Sequence, residues 1–287
     1  MKRTTSYKDY IKFLLPPFVS YFLIKIKDFF YFFPYAQIVK TNEKYRDIHK
    51  GKRCFILGSG PSINDYDLSK LKNEIIIGLN SFYIHDQYNE IFTSDCPKYM
   101  ISAPIHDPQS EEFWKKYIVE YESKTASKTE IFFGLNNYRP NIKQIVEKYS
   151  LFKNRNVNWF YCNKNIKNKI HHKDIDFTKN IISASTSSVW GILLAIFMGF
   201  EEIYILGIDN NNICLPRDNQ RFKEGGSNHD ESKGGQEYFS WNYFTSFHLS
   251  RTLKQYYYIK MIQKGKIYNC SKISMADMFP FRDFNDL

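Results

Sequence analysis

A glycine-rich turn follows the first short apolar run of the sequence. Residues 54–57 are Cys-Phe-Ile-Leu, and Gly58, Ser59, Gly60, Pro61 and Ser62 come directly after them. Glycines just past a strand let a backbone approach a ligand closely, and the start of a following helix offers unpaired N–H groups to phosphate. The later positions carry no third glycine and no Gly-Lys-Ser/Thr ending, so the dinucleotide and P-loop fingerprints are both absent. The pattern indicates nucleotide or phosphate contact, with an ordinary tight turn as an equal alternative.

Small polar residues follow several other apolar runs. We interpret these runs as strands of an open α/β sheet, and ligands bind such sheets at the carboxyl ends of the strands. Hydroxyl, amide and carboxylate groups at that edge suit the base, ribose and phosphate of a nucleotide. Taken singly, each residue could instead be a turn or helix-cap residue. The residues at these positions are Asn80, Ser81, Asp95, Thr186, Ser187, Ser188, Asp209, Asn210 and Asn211.

The elements that would position these residues alternate between apolar runs and helical patterns. The apolar runs predict parallel strands at 54–57, 75–79, 90–95, 128–135, 202–208 and 267–271. Residues 187–199 predict a buried helix, because they are apolar nearly all round, and residues 247–264 predict a second helix. The pattern from about 98 to 180 is less legible. The order of these elements predicts an α/β fold with a mostly parallel sheet and helices on both faces.

We place the α/β domain at residues 51–287. Two segments differ in composition from the rest of the chain, one before this domain and one within it. Residues 1–50 are aromatic and basic, and the stretch 7–35 is too often interrupted by lysines and prolines to span a bilayer. It suits a helix in the membrane interface or a helix pair that packs on the domain. Residues 210–245 are rich in Asn, Asp, Gly, Ser and Lys, and their place after a strand predicts a lid over the active site.

Charge and cysteine usage narrow the class of protein. The net charge of +10 favours an anionic partner, but no zinc-finger, helix-turn-helix or RNP pattern supports nucleic acid. Five scattered cysteines without a C-x-x-C pair indicate a reducing compartment, and Cys54 and Cys270 are expected to be buried. Asp174-Ile175-Asp176 matches the D-x-D of a metal-dependent transferase, but its setting suggests a solvated turn. We therefore expect no metal and no cofactor.

The same residues carry a resemblance to a known family. The order GSGPS, LNSFY, STSSVWGILLAIFMGFEEIYILGID, a histidine and IYNCS resembles the single-domain bacterial sialyltransferases that use CMP-sialic acid, glycosyltransferase family 42, and related uncharacterised Rossmann-like proteins. The similarity spans about 53–275 and is most specific from the apolar helix through GFEEIYILGID. It implies a Rossmann-like, GT-A-type domain with a lid after the GID strand, a CMP-linked donor, no metal and an oligomer.

The resemblance also implies roles for individual residues. Ser59 and Gly60 would lie along the nucleotide, and Asn80 and Asp95 near the donor phosphate and sugar. The cytidine and ribose would be surrounded by Thr186, Ser187, Gly207 and Asp209. His248 would be the general base, since an imidazole of ordinary pKa, about 6.5, can take the proton of an acceptor hydroxyl. His229, in the expected lid, is the rival base.

The sequence departs from the family pattern in two respects. Asn210 and Asn211 stand where the family has phosphate-contacting tyrosines after its GID, and Ala184 stands where it has an arginine. Other residues would have to supply these contacts to the phosphate, since phosphate stabilisation needs donors but no unique type. The candidates in the expected lid are Arg217, Arg221, Lys223 and Tyr238.

These observations predict a transferase at the inner face of a bacterial membrane. Its partners would be a nucleotide sugar and a glycan acceptor of a lipopolysaccharide or capsule, with peripheral membrane contact through the amino-terminal segment. The alternatives are a transferase for another nucleotide sugar, a pyrophosphokinase-like nucleotide enzyme that requires Mg²⁺, and a non-catalytic nucleotide-binding assembly protein.

Overall fold

Eight parallel strands form one sheet at the centre of the computed structural model, which describes residues 16–106, 109–164, 170–214, 241–263 and 266–287. The order across the sheet is β6-β5-β4-β3-β2-β1-β7-β8, and all seven pairings are parallel. The predicted α/β class with a parallel sheet is therefore confirmed. The strands are β1 Arg53–Leu57, β2 Ile76–Leu79, β3 Lys98–Ser102, β4 Glu130–Leu135, β5 Val157–Lys164, β6 Asn180–Ile182, β7 Glu202–Leu206 and β8 Ile267–Asn269.

Helices cover both faces of this sheet, as expected. They are α1 Pro17–Phe32, α2 Ala36–Lys40, α3 Tyr88–Phe92, α4 Glu111–Lys124, α5 Ile142–Lys148, α6 Ser187–Phe197 and α7 Trp241–Ile262. Successive side chains of β1 enter two separate clusters, because side chains alternate along a strand. Cys54 and Ile56 pack with residues of α6 and α7, whereas Phe55 and Leu57 pack with residues of α4 and α5.

The predicted strand at 90–95 is wrong. Residues Tyr88–Phe92 form the short helix α3, in which Tyr88, Ile91 and Phe92 are buried. Their spacing of three and four residues is the period of a helix, and the apolar pair alone was read as a strand. The third strand is β3, which begins at Lys98. Asp95 therefore lies before a strand rather than after one.

The order of the strands reverses between β1 and β7. The chain adds β2 to β6 on one side of β1, then returns across α6 and inserts β7 on the other side. This is the topological switch point of an open α/β sheet, where ligands bind. Gly191 allows α6 to approach the sheet, since a Cβ there would lie 2.8 Å from Leu79 Cδ2. Because α6 links two parallel strands, it begins at the carboxyl ends of the strands.

The amino-terminal part of the chain runs along β5. Tyr35 stacks on Tyr161 with ring centroids 5.5 Å apart, and Asn42 donates to the carbonyl oxygens of Trp159 and Phe177. Residues 35–50 thus contribute to the core of the domain. No helix in the described ranges is both long enough and apolar enough to cross a membrane.

The pair Asp174 and Asp176 does not form a solvated turn as expected, because both residues are more than nine-tenths buried. Asp174 pairs with Lys164, and Asp176 pairs with Arg46 and Lys179. Burial acts to raise the pKa of Asp176, but hydrogen bonds from Lys179 and Thr178 outweigh it, so this pKa lies below its usual range. These carboxylates fasten loops of the domain.

Candidate functional site

The loops after β1 and β7 pack directly against each other at the switch point. Gly58 N donates to Leu206 O at 2.8 Å, and Gly60 N donates to Gly207 O at 2.7 Å. A Cβ at Gly58 would lie 2.3 Å from Gly207 O, and one at Gly60 would lie 2.5 Å from Asp209 Oδ2. The glycines of the turn are thus explained by contact between two loops of the protein.

Asp209 accepts hydrogen bonds from Ser62, at the start of the short helical turn Pro61–Asp65 that follows the glycines. Its carboxylate accepts a hydrogen bond from Ser62 N at 3.0 Å and a second from the Ser62 hydroxyl. Pro61 opens that turn, and Asp209 is only 2% exposed. A carboxylate of the protein therefore satisfies donors that the sequence analysis assigned to a phosphate. Ser59, between the two glycines, is half-buried.

Asn80 connects three elements at the same edge. Its backbone is left-handed, with φ 48°, which asparagine tolerates better than most residues. The side-chain Nδ2 donates to Ser187 Oγ at 2.9 Å, while Oδ1 accepts from Ala103 N at 3.2 Å. Asn80 therefore ties the ends of β2 and β3 to the start of α6, as its predicted place at a strand end requires.

A chain of hydroxyl contacts begins at the first turn of α6. Thr186 Oγ1 lies 2.6 Å from Ser188 Oγ, which lies 2.5 Å from the hydroxyl of Tyr256 on α7. Asn210 Nδ2 also donates to the Tyr256 hydroxyl, at 3.4 Å. Thr186 is the N-cap residue of α6 but makes no side-chain hydrogen bond to its backbone. The amides of this first turn thus lack a side-chain cap, the arrangement that favours an anion.

His248 lies on the helix that this network anchors. His248 and Tyr256 are eight residues apart on α7, roughly 12 Å along the axis, with buried Thr252 between them on the same side. Gln255 fastens α7 further, because its Nε2 donates to Ser183 O at 2.9 Å. Tyr256 lies at the carboxyl-end edge of the sheet, and the part of α7 that follows it leads to β8. His248 is half-buried and precedes Tyr256, so it lies in the part of α7 that extends beyond that edge.

The other residues predicted to bind the donor nucleotide sugar lie in different places. Ser81 lies beside Tyr83 and Tyr117, on the sheet face away from α6. Asn211 is buried, and its Nδ2 donates to Ile273 O at 3.4 Å in the loop after β8. Asp95 lies at the amino-end edge, where its exposed carboxylate pairs with Lys128. The structure therefore separates Asp95 from the candidate site, because its predicted strand does not exist.

Three buried polar atoms at this edge have no hydrogen-bond partner among the described residues. They are Ser185 Oγ after β6, Asn211 Oδ1 after β7 and Ser271 Oγ after β8. A buried polar group without a partner is costly, so such groups normally meet protein, water or ligand. Their positions after three different strands agree with a polar ligand at the switch point.

Several predicted residues lie outside the described residues. They are His229, Arg217, Arg221, Lys223 and Tyr238, together with most of the expected lid at 210–245. Among the residues that the structure does describe, no group of three or more His, Cys, Asp or Glu is placed to hold a metal ion.

Residues that the sequence analysis missed complete the site. Tyr256 and Gln255 connect α7 to the start of α6, and Ser274 Oγ donates to Ile208 O at 2.8 Å. Residues 247–264 gave a helical pattern, but a pattern does not reveal which of its polar residues are buried against a loop distant in sequence. A buried tyrosine hydroxyl needs a partner, and that partner becomes visible only in the tertiary structure.

Comparison with solved structures finds two structures of one protein with a similar fold. The sialyltransferase CstII from Campylobacter jejuni, in complex with the substrate analogue CMP-3FNeuAc, is 20% identical over 80% of this chain and 86% of that chain, with a TM-score of 0.46. The same protein in complex with cytidine-5'-monophosphate gives 20% identity over 81% and 85%, with a TM-score of 0.44. No protein-family model and no curated protein matches the sequence.

Proposed function

We propose that this protein is a glycosyltransferase that takes a sugar from a nucleotide-activated donor at the carboxyl-end edge of the sheet. The observation that carries the proposal is the meeting of Asn80, the start of α6 and the loop after β7 at the β1–β7 switch point. This edge offers hydroxyls, amides and an uncapped helix start within one network. Such groups suit the phosphate and the ribose of a nucleoside monophosphate or nucleoside diphosphate ester.

Within this site, the start of α6 is the better place for the donor phosphate. In the turn after β1, Gly60 N donates to Gly207 and Ser62 donates to Asp209, so these donors are occupied by the protein. The first turn of α6 has no side-chain cap and adds the hydroxyls of Thr186, Ser187 and Ser188. In this arrangement the glycine-rich turn shapes the site, and α6 binds the anion.

His248 is the proposed general base. It would take the proton from an acceptor hydroxyl, which then attacks the anomeric carbon directly while the nucleotide phosphate leaves with the bonding electrons. A single displacement of this kind inverts the anomeric configuration. The position of His248 on α7, beyond the network at Tyr256, supports this role, and His229 stays the rival base.

The donor we propose is a CMP-activated sugar of the sialic-acid type, and the acceptor is a bacterial surface glycan under construction at the inner face of the membrane. The sequence resemblance from the α6 region through GFEEIYILGID supports the donor class. The reaction would need no metal, because the groups that stabilise the leaving phosphate are supplied by the protein.

The test is release of nucleotide by the purified full-length chain in the presence of EDTA. CMP-Neu5Ac would be compared with UDP- and GDP-sugars, and Ser187→Ala would be compared with Ser123→Ala, which alters an exposed serine on α4. We expect release from the CMP donor, with an increase in KM of about tenfold for Ser187→Ala and no change for Ser123→Ala. Turnover of another nucleotide sugar alone would contradict the donor class. Mg²⁺-dependent release of AMP from ATP, in a parallel assay without EDTA, would favour a pyrophosphokinase-like enzyme.

A further inference from the structure

Helix α1 presents a row of exposed phenylalanines. Phe18, Phe22 and Phe29 are spaced by four and seven residues and so lie on one side of the helix. Phe33 follows Phe29 by four residues, and the two rings are 5.7 Å apart. These four side chains are between 57% and 74% exposed. Water-exposed aromatic area of this size marks an interaction surface.

The charges on this helix are basic. Lys25 lies over the ring of Tyr21 at 5.4 Å, and Lys27 lies over Tyr31 at 5.5 Å. The one acidic residue of α1, Asp28, faces the domain, where Asn163 Nδ2 lies 3.5 Å from its carboxylate. The exposed part of α1 therefore combines aromatic rings with lysines and carries no opposing acid.

The direction of α1 places this surface on the same side of the domain as the candidate site. Tyr35 stacks on Tyr161, and Asp28, seven residues earlier, reaches Asn163 near the carboxyl end of β5. Moving back along the chain thus means moving toward the carboxyl ends of the strands. Pro17 lies eleven residues before Asp28, so the helix extends roughly 16 Å further in that direction.

We infer that α1 is a membrane-surface helix that turns the carboxyl-end edge of the sheet toward an anionic lipid bilayer. Aromatic rings settle at the level of the headgroups, and lysines beside them are attracted to anionic lipid. A two-fold contact between copies of α1 would instead bring the same lysines near their counterparts. The net charge of +10 adds to the attraction of the whole chain for such a surface. Together with the proposed function, on which this last step rests, the orientation identifies the acceptor as one presented at a membrane surface.

The first test is co-sedimentation of the full-length chain with vesicles of phosphatidylcholine, with and without phosphatidylglycerol. We expect binding to the anionic vesicles, weakened at least about tenfold in Phe22→Glu/Phe29→Glu. The matched control is Val119→Glu/Met261→Glu, which places the same charges at exposed apolar positions of α4 and α7 and should bind like the unaltered chain. The variant Lys25→Ala/Lys27→Ala should bind anionic vesicles more weakly, by roughly fivefold in affinity for each lysine, and should bind neutral vesicles like the unaltered chain.

The second test concerns orientation. A fluorophore would be attached at Arg139→Cys, after β4, or at Glu201→Cys, before β7, in a chain with Cys96→Ser and Cys214→Ser. Both label positions are exposed, and they lie at opposite edges of the sheet. We expect greater energy transfer to an acceptor dye in the lipid from position 139 than from position 201. Equal or reversed transfer would overturn the inferred orientation.

Two further results would overturn the membrane role. One is binding of the Phe22→Glu/Phe29→Glu variant that matches its control. The other is a dimer in lipid-free buffer that this variant converts to a monomer by light scattering, which would assign α1 to a second copy. Neither vesicle test uses a nucleotide sugar, and the variant should retain nucleotide release without vesicles, so failure here is distinguishable from failure of the proposed function.

Discussion

At the scale of single residues, Asp209 illustrates how one buried carboxylate changes the role of a motif. Its two oxygens accept hydrogen bonds from the amide and the hydroxyl of Ser62. Two donors of the turn that was predicted to contact phosphate are therefore bound by the protein itself. We expect Asp209→Ala to leave the buried Ser62 amide unpaired and to lower the free energy of unfolding by about 2 kcal/mol. Urea denaturation would measure this, with exposed Asp286→Ala as the control. An unchanged midpoint would contradict the structural role of Asp209.

The hydroxyl of Tyr256 is a second residue with a testable contribution. Burial raises its pKa, and hydrogen bonds with Ser188 and Asn210 partly offset that shift, so the hydroxyl is neutral at physiological pH. Tyr256→Phe should cost about 1 kcal/mol of stability and reduce kcat several-fold, because α7 would no longer be fixed to the start of α6. Tyr257→Phe alters an exposed neighbour and should change neither quantity. Equal behaviour of the two variants would refute the positioning role.

His49 predicts how stability depends on pH. It is 4% exposed between Tyr99 and Phe200, and burial lowers its pKa to about 4. Below a pH of about 6.5 this imidazole is protonated in the unfolded chain but stays neutral in the folded chain. The free energy of unfolding therefore falls as the pH falls toward 4. The loss reaches about 3 kcal/mol at most. Thermal unfolding across this range should show a shallower decline for His49→Phe than for the unaltered chain, whereas exposed His172→Gln should follow the unaltered chain.

At the level of secondary-structure elements, the glycines of the turn after β1 provide space for a neighbouring loop of the protein. The backbone of Gly60 has φ −66°, which any residue adopts, so glycine serves there only to provide space. Gly60→Ala should destabilise the fold by at least about 2 kcal/mol, since its Cβ would meet Asp209. Gly51→Ala should cost about 1 kcal/mol through its φ of 77° alone, with no atom nearby. If Gly60→Ala folded normally and lost only nucleotide affinity, the glycine would serve the ligand instead.

The sequence predicted the strands that contain a run of apolar residues. The apolar runs of β1, β2, β4 and β7 are buried, and parallel strands of this kind are recognisable without a structure. The short edge strand β8 was predicted from Ile267 and Tyr268. By contrast, β3 and β5 contain polar residues that acquire partners only on folding. Lys98 of β3 is buried because its ammonium group donates to the carbonyl oxygens of Lys72 and Glu74, and Asn158 of β5 donates to Glu130. Such tertiary compensation is invisible in a local pattern.

At the scale of the whole molecule, three features meet at one edge of a single sheet. Asn80 and Asp209 follow β2 and β7 on either side of β1, and α7 adds Tyr256 and His248. We infer that α1 extends past the same edge. The order of apolar runs in the sequence is sufficient to predict an edge of this kind. It does not predict that the chain before β1 runs along β5, because that depends on contacts between residues more than a hundred positions apart.

The proposed function requires that this edge binds a nucleotide sugar and that His248 removes a proton there. The most direct measurement compares His248→Ala with the unaltered chain for CMP binding by calorimetry and for CMP release from CMP-Neu5Ac. We expect the variant to bind CMP within about threefold of the unaltered chain and to release CMP from CMP-Neu5Ac at least about a hundredfold more slowly. Full activity of His248→Ala would contradict the assigned base, and a chain that neither binds nor releases any nucleotide would contradict the site itself.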